Sequence, residues 1–436
     1  MPTVSLHTLG CKLNFAESSA IGKQFLDRGF EIVEFGQPAD VCVINTCSVT
    51  ARANRECRQV IRKSVRTSAE PFVIVTGCYA QLEPEEVASI DGVDLVVGAK
   101  EKFDLFDHVG SFEKSSHPRI VVSDIEAVNN FGPAYTTISG NRTRAYLKVQ
   151  DGCDFNCSFC TIPLARGTSR SQSLEECIVQ ARTLVAHGFK EITLTGVNVG
   201  DYGKKQELSL VDLLKALDDI EGLARVRISS IEPNLLTDEI INLIATSSRL
   251  CRHFHIPLQS GSDTILRAMR RRYSTNDYRS LINRITYAIP DCGIGADVIV
   301  GFPGETERHF SETVEFIEQL PVSYLHIFTY SERPNTPAAV FGNSVEPKVR
   351  FKRSEVLRLM GQKKKSAFAA FMVGRILPVL FEEDCEDGLR LGFAENYVRV
   401  GVPADLVERN EILPVRIREV QDGICFGEPV AQQVAA

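Results

Sequence analysis

No run of apolar residues in this 436-residue chain approaches the roughly eighteen that a membrane-spanning helix needs, so no span is expected. The opening residues, Met1-Pro2-Thr3-Val4-Ser5-Leu6, lack a basic stretch followed by an apolar one, and no secretory signal is expected. An excess of positive charge is lacking too. Lys and Arg total 49 against 56 Asp and Glu, a net charge of −7 at pH 7, which argues against a protein whose whole surface binds nucleic acid. Thirteen cysteines are present, but nothing points to export. Reduced thiols serving as metal ligands or core residues are therefore expected rather than disulfides, in a cytoplasmic protein. A 44% hydrophobic and 24% charged composition is that of a globular chain, and the length favours two or three domains.

Against those absences stands one dense motif, Cys153-Asp154-Phe155-Asn156-Cys157-Ser158-Phe159-Cys160, directly after the strand-like Tyr146-Leu147-Lys148-Val149. Its C-x3-C-x2-C spacing places three thiolates close enough to hold three irons of a 4Fe–4S cubane. A fourth cysteine at cluster spacing is missing, so one iron stays open to bind and cleave something. Structural zinc sites instead close all four positions, usually with paired C-x2-4-C elements.

The first ~110 residues repeat a strand-then-helix rhythm, with apolar, β-branched runs at 4–9, 41–45, 72–76 and 95–97. Such alternation predicts βαβ units and a parallel sheet. Cys11, Cys47 and Cys78 fall one or two residues past the first three strands, 36 and 31 residues apart. Because ligands of open α/β sheets bind beyond the strand carboxyl ends, three distant cysteines can converge there. Cys42, inside a strand, and Cys57, inside a helix, are read as small core residues. Residues 111–141 read as a linker, broken by His117-Pro118, Phe131-Gly132-Pro133 and Gly140.

Alternation resumes from 142 to about 373. Strands are predicted at 145–149, 191–194, 225–229, 253–257, 295–300 and 324–328, with helices at 174–187, 208–217 and 263–269 among those between. Six parallel strands with crossover helices predict a partial TIM-type barrel, a (β/α)6 unit whose site lies at the strand C-termini, where the cysteine triplet falls. The last ~65 residues read as short strands at 375–381, 389–392, 397–400 and 412–420, hence a small β-barrel. Barrels of that size bind oligonucleotides or serve as packing modules, and sequence leaves the two open. Arg52, Arg55, Arg58, Arg62 and Arg66 recur at three- and four-residue steps along one predicted helix face, and Arg270-Arg271-Arg272 and Lys363-Lys364-Lys365 are further basic runs. Each alone reads as solvated surface; together, beside a metal cluster, they point toward a polyanion such as RNA.

Six stretches carry a resemblance that spans essentially the full chain. They are Leu9-Gly10-Cys11-Lys12-Leu13-Asn14, Asn45-Thr46-Cys47-Ser48-Val49-Thr50, Thr76-Gly77-Cys78-Tyr79-Ala80, the triplet within 150–170, Gly295-Ala296-Asp297-Val298-Ile299-Val300-Gly301-Phe302-Pro303-Gly304-Glu305-Thr306, and Tyr330-Ser331-Glu332-Arg333-Pro334-Asn335-Thr336-Pro337-Ala338-Ala339. In this order they resemble the radical S-adenosylmethionine (SAM) methylthiotransferases. The resemblance implies an N-terminal methylthiotransferase domain (1–115), a radical-SAM barrel (139–370) and a C-terminal TRAM-like RNA-binding β-barrel (371–436). Lys12, the stretch Leu194-Thr195-Gly196-Val197-Asn198-Val199-Gly200-Asp201-Tyr202-Gly203 and the stretch Gly392-Phe393-Ala394-Glu395-Asn396-Tyr397-Val398-Arg399-Val400 look most like the branch acting on N6-threonylcarbamoyladenosine in tRNA. The branches acting on N6-isopentenyladenosine and on a ribosomal protein are the alternatives; they typically show Gly-Cys-Gln-Met-Asn and Gly-Cys-Pro-Lys-Asn at the first cysteine.

By the same resemblance, Cys153, Cys157 and Cys160 hold the cluster that binds SAM, and Cys11, Cys47 and Cys78 hold a second 4Fe–4S cluster that carries sulfur. The partners implied are tRNA, SAM and a reducing electron donor of unspecified identity. Phe159 is a candidate neighbour of the SAM adenine, against a plain core role. Glu232 and Gln259 are candidates to hydrogen-bond SAM, and Gly301 to let backbone approach its adenosyl group. Arg166 and Arg170 are read as partners of the SAM carboxylate or RNA phosphate, against a structural salt bridge. His253 and His255 are read as alternating, so that only one faces the barrel interior. A cobalamin-dependent radical-SAM methylase is a rival, although no D-x-H-x-x-G motif occurs in the first domain. A zinc-stabilised RNA-binding module is the non-enzymatic rival.

Overall fold

A computed structural model describes residues 1–66, 70–114, 117–128, 130–137 and 142–430. The chain opens with β1 (Thr3–Thr8), α1 (Lys12–Leu26), β2 (Glu31–Val33), β3 (Val41–Thr46), α2 (Ala51–Val65), β4 (Phe72–Gly77), α3 (Cys78–Leu82), β5 (Leu95–Val97) and β6 (Arg119–Val121). The six strands form one parallel sheet in the order β2-β1-β3-β4-β5-β6. Every residue of β3 and β4 is buried, because helices cover both faces of the sheet. That two-sided burial is why these strands read as unbroken apolar runs. Cys42 and Cys57 are core residues, packed with Ile44, Val73 and Tyr79.

Two of the six strands escape sequence reading. Both β2 and β6 are three residues long and partly exposed at the sheet edges, so neither carries a buried run. The β6 strand lies inside the segment read as linker, and its pairing with β5 extends the N-terminal sheet through Val121. Gly140 lies outside the described residues.

The second unit contains β7 (Arg144–Lys148), a two-residue ladder of β8 (Gln150–Asp151) with β9 (Arg170–Ser171), β10 (Glu191–Thr195), β11 (Arg225–Ile228), β12 (His253–His255), β13 (Gly293–Val300) and β14 (Tyr324–Thr329). Parallel pairing runs β7-β10-β11 and β12-β13-β14, and bridges Val226↔Leu250 and Ser230↔His255 join the halves. The six predicted barrel strands are therefore present as a half-barrel. One continuous core of Leu, Ile and Val fills the layer between strands and helices. Helix α1 of the first unit packs against β7.

The long helix Pro347–Phe371 leads into a closed barrel of β15 (Ile376–Glu386), β16 (Leu389–Ala394), β17 (Arg399–Pro403), β18 (Ile412–Gln421) and β19 (Ile424–Pro429), ordered β15-β16-β17-β19-β18. The final strand was not apparent in the sequence, where Gly427 and Pro429 interrupt its pattern. This barrel docks on the base of the half-barrel. Arg225 donates to the carbonyls of Phe393 (3.0 Å) and Pro378 (2.6 Å), and Arg227 to those of Glu395 (2.8 Å) and Ala394 (3.2 Å).

Candidate active site

Three loops bring Cys11, Cys47 and Cys78 together at the carboxyl ends of β1, β3 and β4. Cys11 is the residue before α1, Cys47 follows β3 directly, and Cys78 opens α3. Close approach of the first two depends on Gly10. Its φ is +102°, and a Cβ there would lie 2.8 Å from the Cys47 Cβ and 3.0 Å from its Sγ. Asn14 then ties the loops, donating from Nδ2 to the carbonyls of Leu9 (2.8 Å) and Thr46 (3.1 Å). Cys11 is exposed while Cys47 and Cys78 are buried. Burial pushes the Cys47 thiol up to about 12, helped by the neighbouring Cys78. Iron must displace protons to bind such thiols.

The second triad follows the β7–β8 segment. The Phe155 N–H donates to Cys153 Sγ (3.4 Å), the Ile162 N–H to Cys160 Sγ (3.4 Å), and Arg271 Nη1 to Cys157 Sγ (3.2 Å). Burial pushes Cys153 up to about 11 and Cys160 up to about 12. Arg271 also pairs with Glu232 and donates to the Tyr273 hydroxyl (3.1 Å). Burial raises the Glu232 carboxyl, and Arg271 opposes that shift. Glu232 thus stands beside the triplet through an arginine that the sequence shows only as part of a basic run.

Neither triad is gathered around a single ion. Among the described residues, the one set of three His, Cys or carboxylate donor atoms lying within 4.8 Å of one another is His255, Asp297 and His326. A tetrahedral zinc with 2.3 Å bonds would hold its thiolates about 3.8 Å apart. Wider spacing fits a cubane, in which each thiolate binds its own iron.

Other candidates fare unevenly. Gln259 has φ +66°, with its N–H on the Asp297 carbonyl (2.8 Å) and its own carbonyl accepting from Ile299 N–H (2.9 Å). Its buried Oε1 has no hydrogen-bond partner among the described residues, so an acceptor is held ready. Phe159 packs against the buried cluster of Ile265, Met269, Phe302 and Tyr330, which makes it part of the wall here. Gly301 (φ +76°) is needed because a Cβ would meet the Arg350 side chain at 2.3 Å, so the close approach it permits is to that arginine.

Arg166 is a structural ion-pair residue. It reaches Glu17 (2.9 Å) and Asp151 (3.0 Å), all three side chains being almost wholly buried. Arg170 donates to the carbonyls of Thr168 (3.0 Å) and Arg166 (2.9 Å). These contacts turn both guanidinium groups toward the protein itself, although Arg170 Nε stays buried without a partner among the described residues. Arg166 Nη2 also donates to Asn14 Oδ1 (2.7 Å), the residue that ties the Cys11 and Cys47 loops. Six residues past Cys160, it links the two triads. Arg333 of the second unit also reaches the Cys47 loop, its Nη2 donating to Ser48 Oγ (2.8 Å). His253 and His255 share one face rather than alternating, because residues i and i+2 of a strand point the same way. Their ring nitrogens lie 2.8 and 3.4 Å from the same Tyr324 hydroxyl.

Residues 3–98 match Uncharacterized protein family UPF0004, and residues 147–317 match the Radical SAM superfamily. The chain is 41% identical over 410 residues to Threonylcarbamoyladenosine tRNA methylthiotransferase MtaB of Bacillus subtilis, covering 92% of this chain and 90% of that protein. It is 35% identical to the protein of that name from Thermotoga maritima, across all of both chains. The chain belongs to the radical-SAM methylthiotransferases. A further relative is the tRNA-2-methylthio-N(6)-dimethylallyladenosine synthase of Methylacidiphilum infernorum, at 32% identity over 99% of this chain and 95% of that one. Among solved structures, the radical S-adenosylmethionine methyltransferase TsrM from Kitasatospora setae shares the fold, with a TM-score of 0.57 at 13% identity over 88% of this chain and 79% of its own. As a radical-SAM enzyme, this methylthiotransferase works with a 4Fe–4S cluster and SAM. No helix among its described residues is long and apolar enough to cross a membrane.

Proposed function

We propose that this protein inserts a methylthio group at C2 of N6-threonylcarbamoyladenosine beside the tRNA anticodon, acting in the cytoplasm with two 4Fe–4S clusters. The observation that carries the reading is the pair of cysteine triads on adjoining sheets, joined through Asn14 and Arg166. Cys153, Cys157 and Cys160 hold one cluster and Cys11, Cys47 and Cys78 the other. When bound, the clusters and SAM supply reductive sulfonium cleavage and sulfur transfer, driven by an external electron donor.

The chain's own residues bind, orient and shield. Arg271 donates to Cys157 Sγ, fixing that ligand and placing positive charge beside an anionic cluster. Gln259 Oε1 offers its vacant acceptor to SAM, and Glu232 is kept in place by Arg271. Exposed Cys11 presents its ligand position toward incoming substrate, while buried Cys47 and Cys78 exclude water behind it. The higher identity to threonylcarbamoyladenosine enzymes (33–41%) than to dimethylallyladenosine synthases (30–32%) supports the substrate.

Nucleoside mass spectrometry of tRNA from a deletion strain tests this. Loss of 2-methylthio-N6-threonylcarbamoyladenosine is expected; loss of the methylthio isopentenyl nucleoside instead would overturn the substrate.

The tRNA surface includes α2. Arg52, Arg55 and Arg62 are exposed along it, whereas Arg58 is engaged by Glu86 (2.8 Å) and the Tyr79 hydroxyl (2.9 Å). Replacing Arg55 or Arg62 with alanine is expected to weaken tRNA binding regardless of the N6 group. Each should also lower the slope of log affinity against log salt by roughly one. Filter binding across a salt series reads both effects, and an unchanged slope removes α2 from the surface.

A further inference from the structure

The inner face of the half-barrel carries a cation that no carboxylate among the described residues pairs directly, the carboxylate acting on it, Glu191, being bound to Arg227 (2.7 Å). Lys12, immediately after Cys11, reaches across from the N-terminal unit and sets its Nζ 5.9 Å from the ring centre of Tyr397 in the C-terminal barrel. Two guanidinium groups face the same ring, Arg227 at 5.1 Å and Arg144 at 5.9 Å. Both are already paired, Arg144 with Glu382 (2.9 Å) and Arg227 with Glu191 (2.7 Å), and Glu191 is also shared with Arg225 (3.6 Å). Lys12 makes no hydrogen bond or ion pair with any described residue. Burial acts to raise the Tyr397 phenol, yet Lys12 and Arg144 bring it below its ordinary value, so the spot is electropositive on balance. A partly buried ammonium flanked by two further cations is costly unless an anion completes it.

From Tyr397 the wall continues through Tyr324 (ring centres 5.9 Å apart) to His326 (5.3 Å). His326 and His255 are both held by the Asp297 carboxylate, at 3.3 and 2.9 Å. This is a polar, hydrogen-bonding wall. An apolar N6 chain laid along it would cover the Lys12 ammonium without pairing it. A threonylcarbamoyl arm brings a carboxylate, a hydroxyl and a ureido group. Its ureido N–H closes onto adenine N1, which turns the threonyl end along the edge that carries C2. Carboxylate and reacting carbon then lie on one side of the base, just as Lys12 and Cys11 are adjacent in the chain.

Resting on the substrate reading above, we propose that Lys12, with Tyr397 beside it, binds the threonyl carboxylate of the substrate and selects that nucleoside over one with an apolar N6 group. The test uses the cluster-loaded enzyme under anaerobic conditions and two synthetic anticodon stem-loops. One carries N6-threonylcarbamoyladenosine, the other the same group with its carboxylate converted to carboxamide. A charge-assisted contact predicts that the wild type binds the carboxylate form roughly ten- to a hundredfold more tightly. Lys12→Met should bring the ratio of the two affinities near one, and Lys12→Arg should restore much of it. General damage to fold or cluster lowers both affinities together and leaves the ratio at its wild-type value. A wild-type ratio near one overturns the proposal, and so does a Lys12→Met enzyme that keeps the preference; the latter pattern with both affinities lowered would make Lys12 a phosphate or packing residue. If the wild type instead methylthiolates only an isopentenyl stem-loop, the substrate reading itself fails, an outcome separate from either of these.

Discussion

Cys11→Ala is expected to abolish methylthio transfer while 5′-deoxyadenosine still forms from SAM, whereas Cys153→Ala abolishes both. Reconstituted wild type should carry about eight irons per chain, and each variant about four. The asymmetry follows from placement. Cys153 lies in the loop that Arg271 and Glu232 flank through Cys157, and losing one ligand there removes the place where SAM is expected to bind. Cys11 lies in a loop of the other sheet, outside those contacts. Its side chain is exposed, so its loss opens no cavity in the core, and a folded protein should result. Anaerobic assays with quantified iron, 5′-deoxyadenosine and modified nucleoside read all three quantities. Methylthiolation by Cys11→Ala at a wild-type rate would sink the sulfur-carrying role of the N-terminal triad.

The features legible in the sequence are those that one stretch of chain determines by itself. The strands β3 and β4 announce themselves because burial on both faces demands near-continuous apolar residues, and the cysteines announce themselves by spacing. Short edge strands such as β2 and β6 are set by pairing with a neighbour, so their own residues carry little signal. The same limit applies at the site. Arg166 and Arg170 were offered to SAM or RNA because a guanidinium four residues from another resembles an anion clamp. Which anion it meets depends on Glu17, 149 residues away in sequence. Arg271 sat in plain view within a basic run, but only folding places that one residue, and not Arg270, on a cysteine of the triplet. A step of two along β12 should have put His253 and His255 on one face from the start.

Glu17→Gln is expected to destabilise the protein by about 3–5 kcal/mol, the usual cost of removing one partner from a buried ion pair. Glu17, on α1, meets Lys102 at 2.6 Å, Lys148 at 3.1 Å and Arg166 at 2.9 Å, and its side chain has no solvent exposure. Asp151 is the other acid of the cluster, 2.7 Å from Lys148. Neutralising Glu17 leaves three buried cations to one carboxylate. Since Lys148 and Arg166 belong to the half-barrel and Glu17 to the N-terminal unit, the damage falls on the contact that sets the two triads at a fixed separation. Product formation should therefore drop along with stability, even though Glu17 touches neither triad. The double variant Glu17→Gln/Lys148→Met removes an uncompensated cation along with the acid, and should recover roughly 0.5–3 kcal/mol of coupling. Urea midpoints of the four proteins give that cycle, and strict additivity would show the pair to be uncoupled. The pH dependence has a definite sign. Burial alone would raise the Glu17 carboxyl, but Arg166 first, then Lys102 and Lys148, hold it well below the ordinary range. A carboxyl depressed on folding contributes stability that is fully present above its unfolded value of about 4.3, and loses it as pH falls through the lower folded value. Wild type should thus shed this contribution only in acid below that range, whereas Glu17→Gln, already without it at neutral pH, shows a shallower acid limb. Because the cations outnumber the acids, the network needs every carboxylate it has, and the geometry between the two triads depends on the one that α1 delivers.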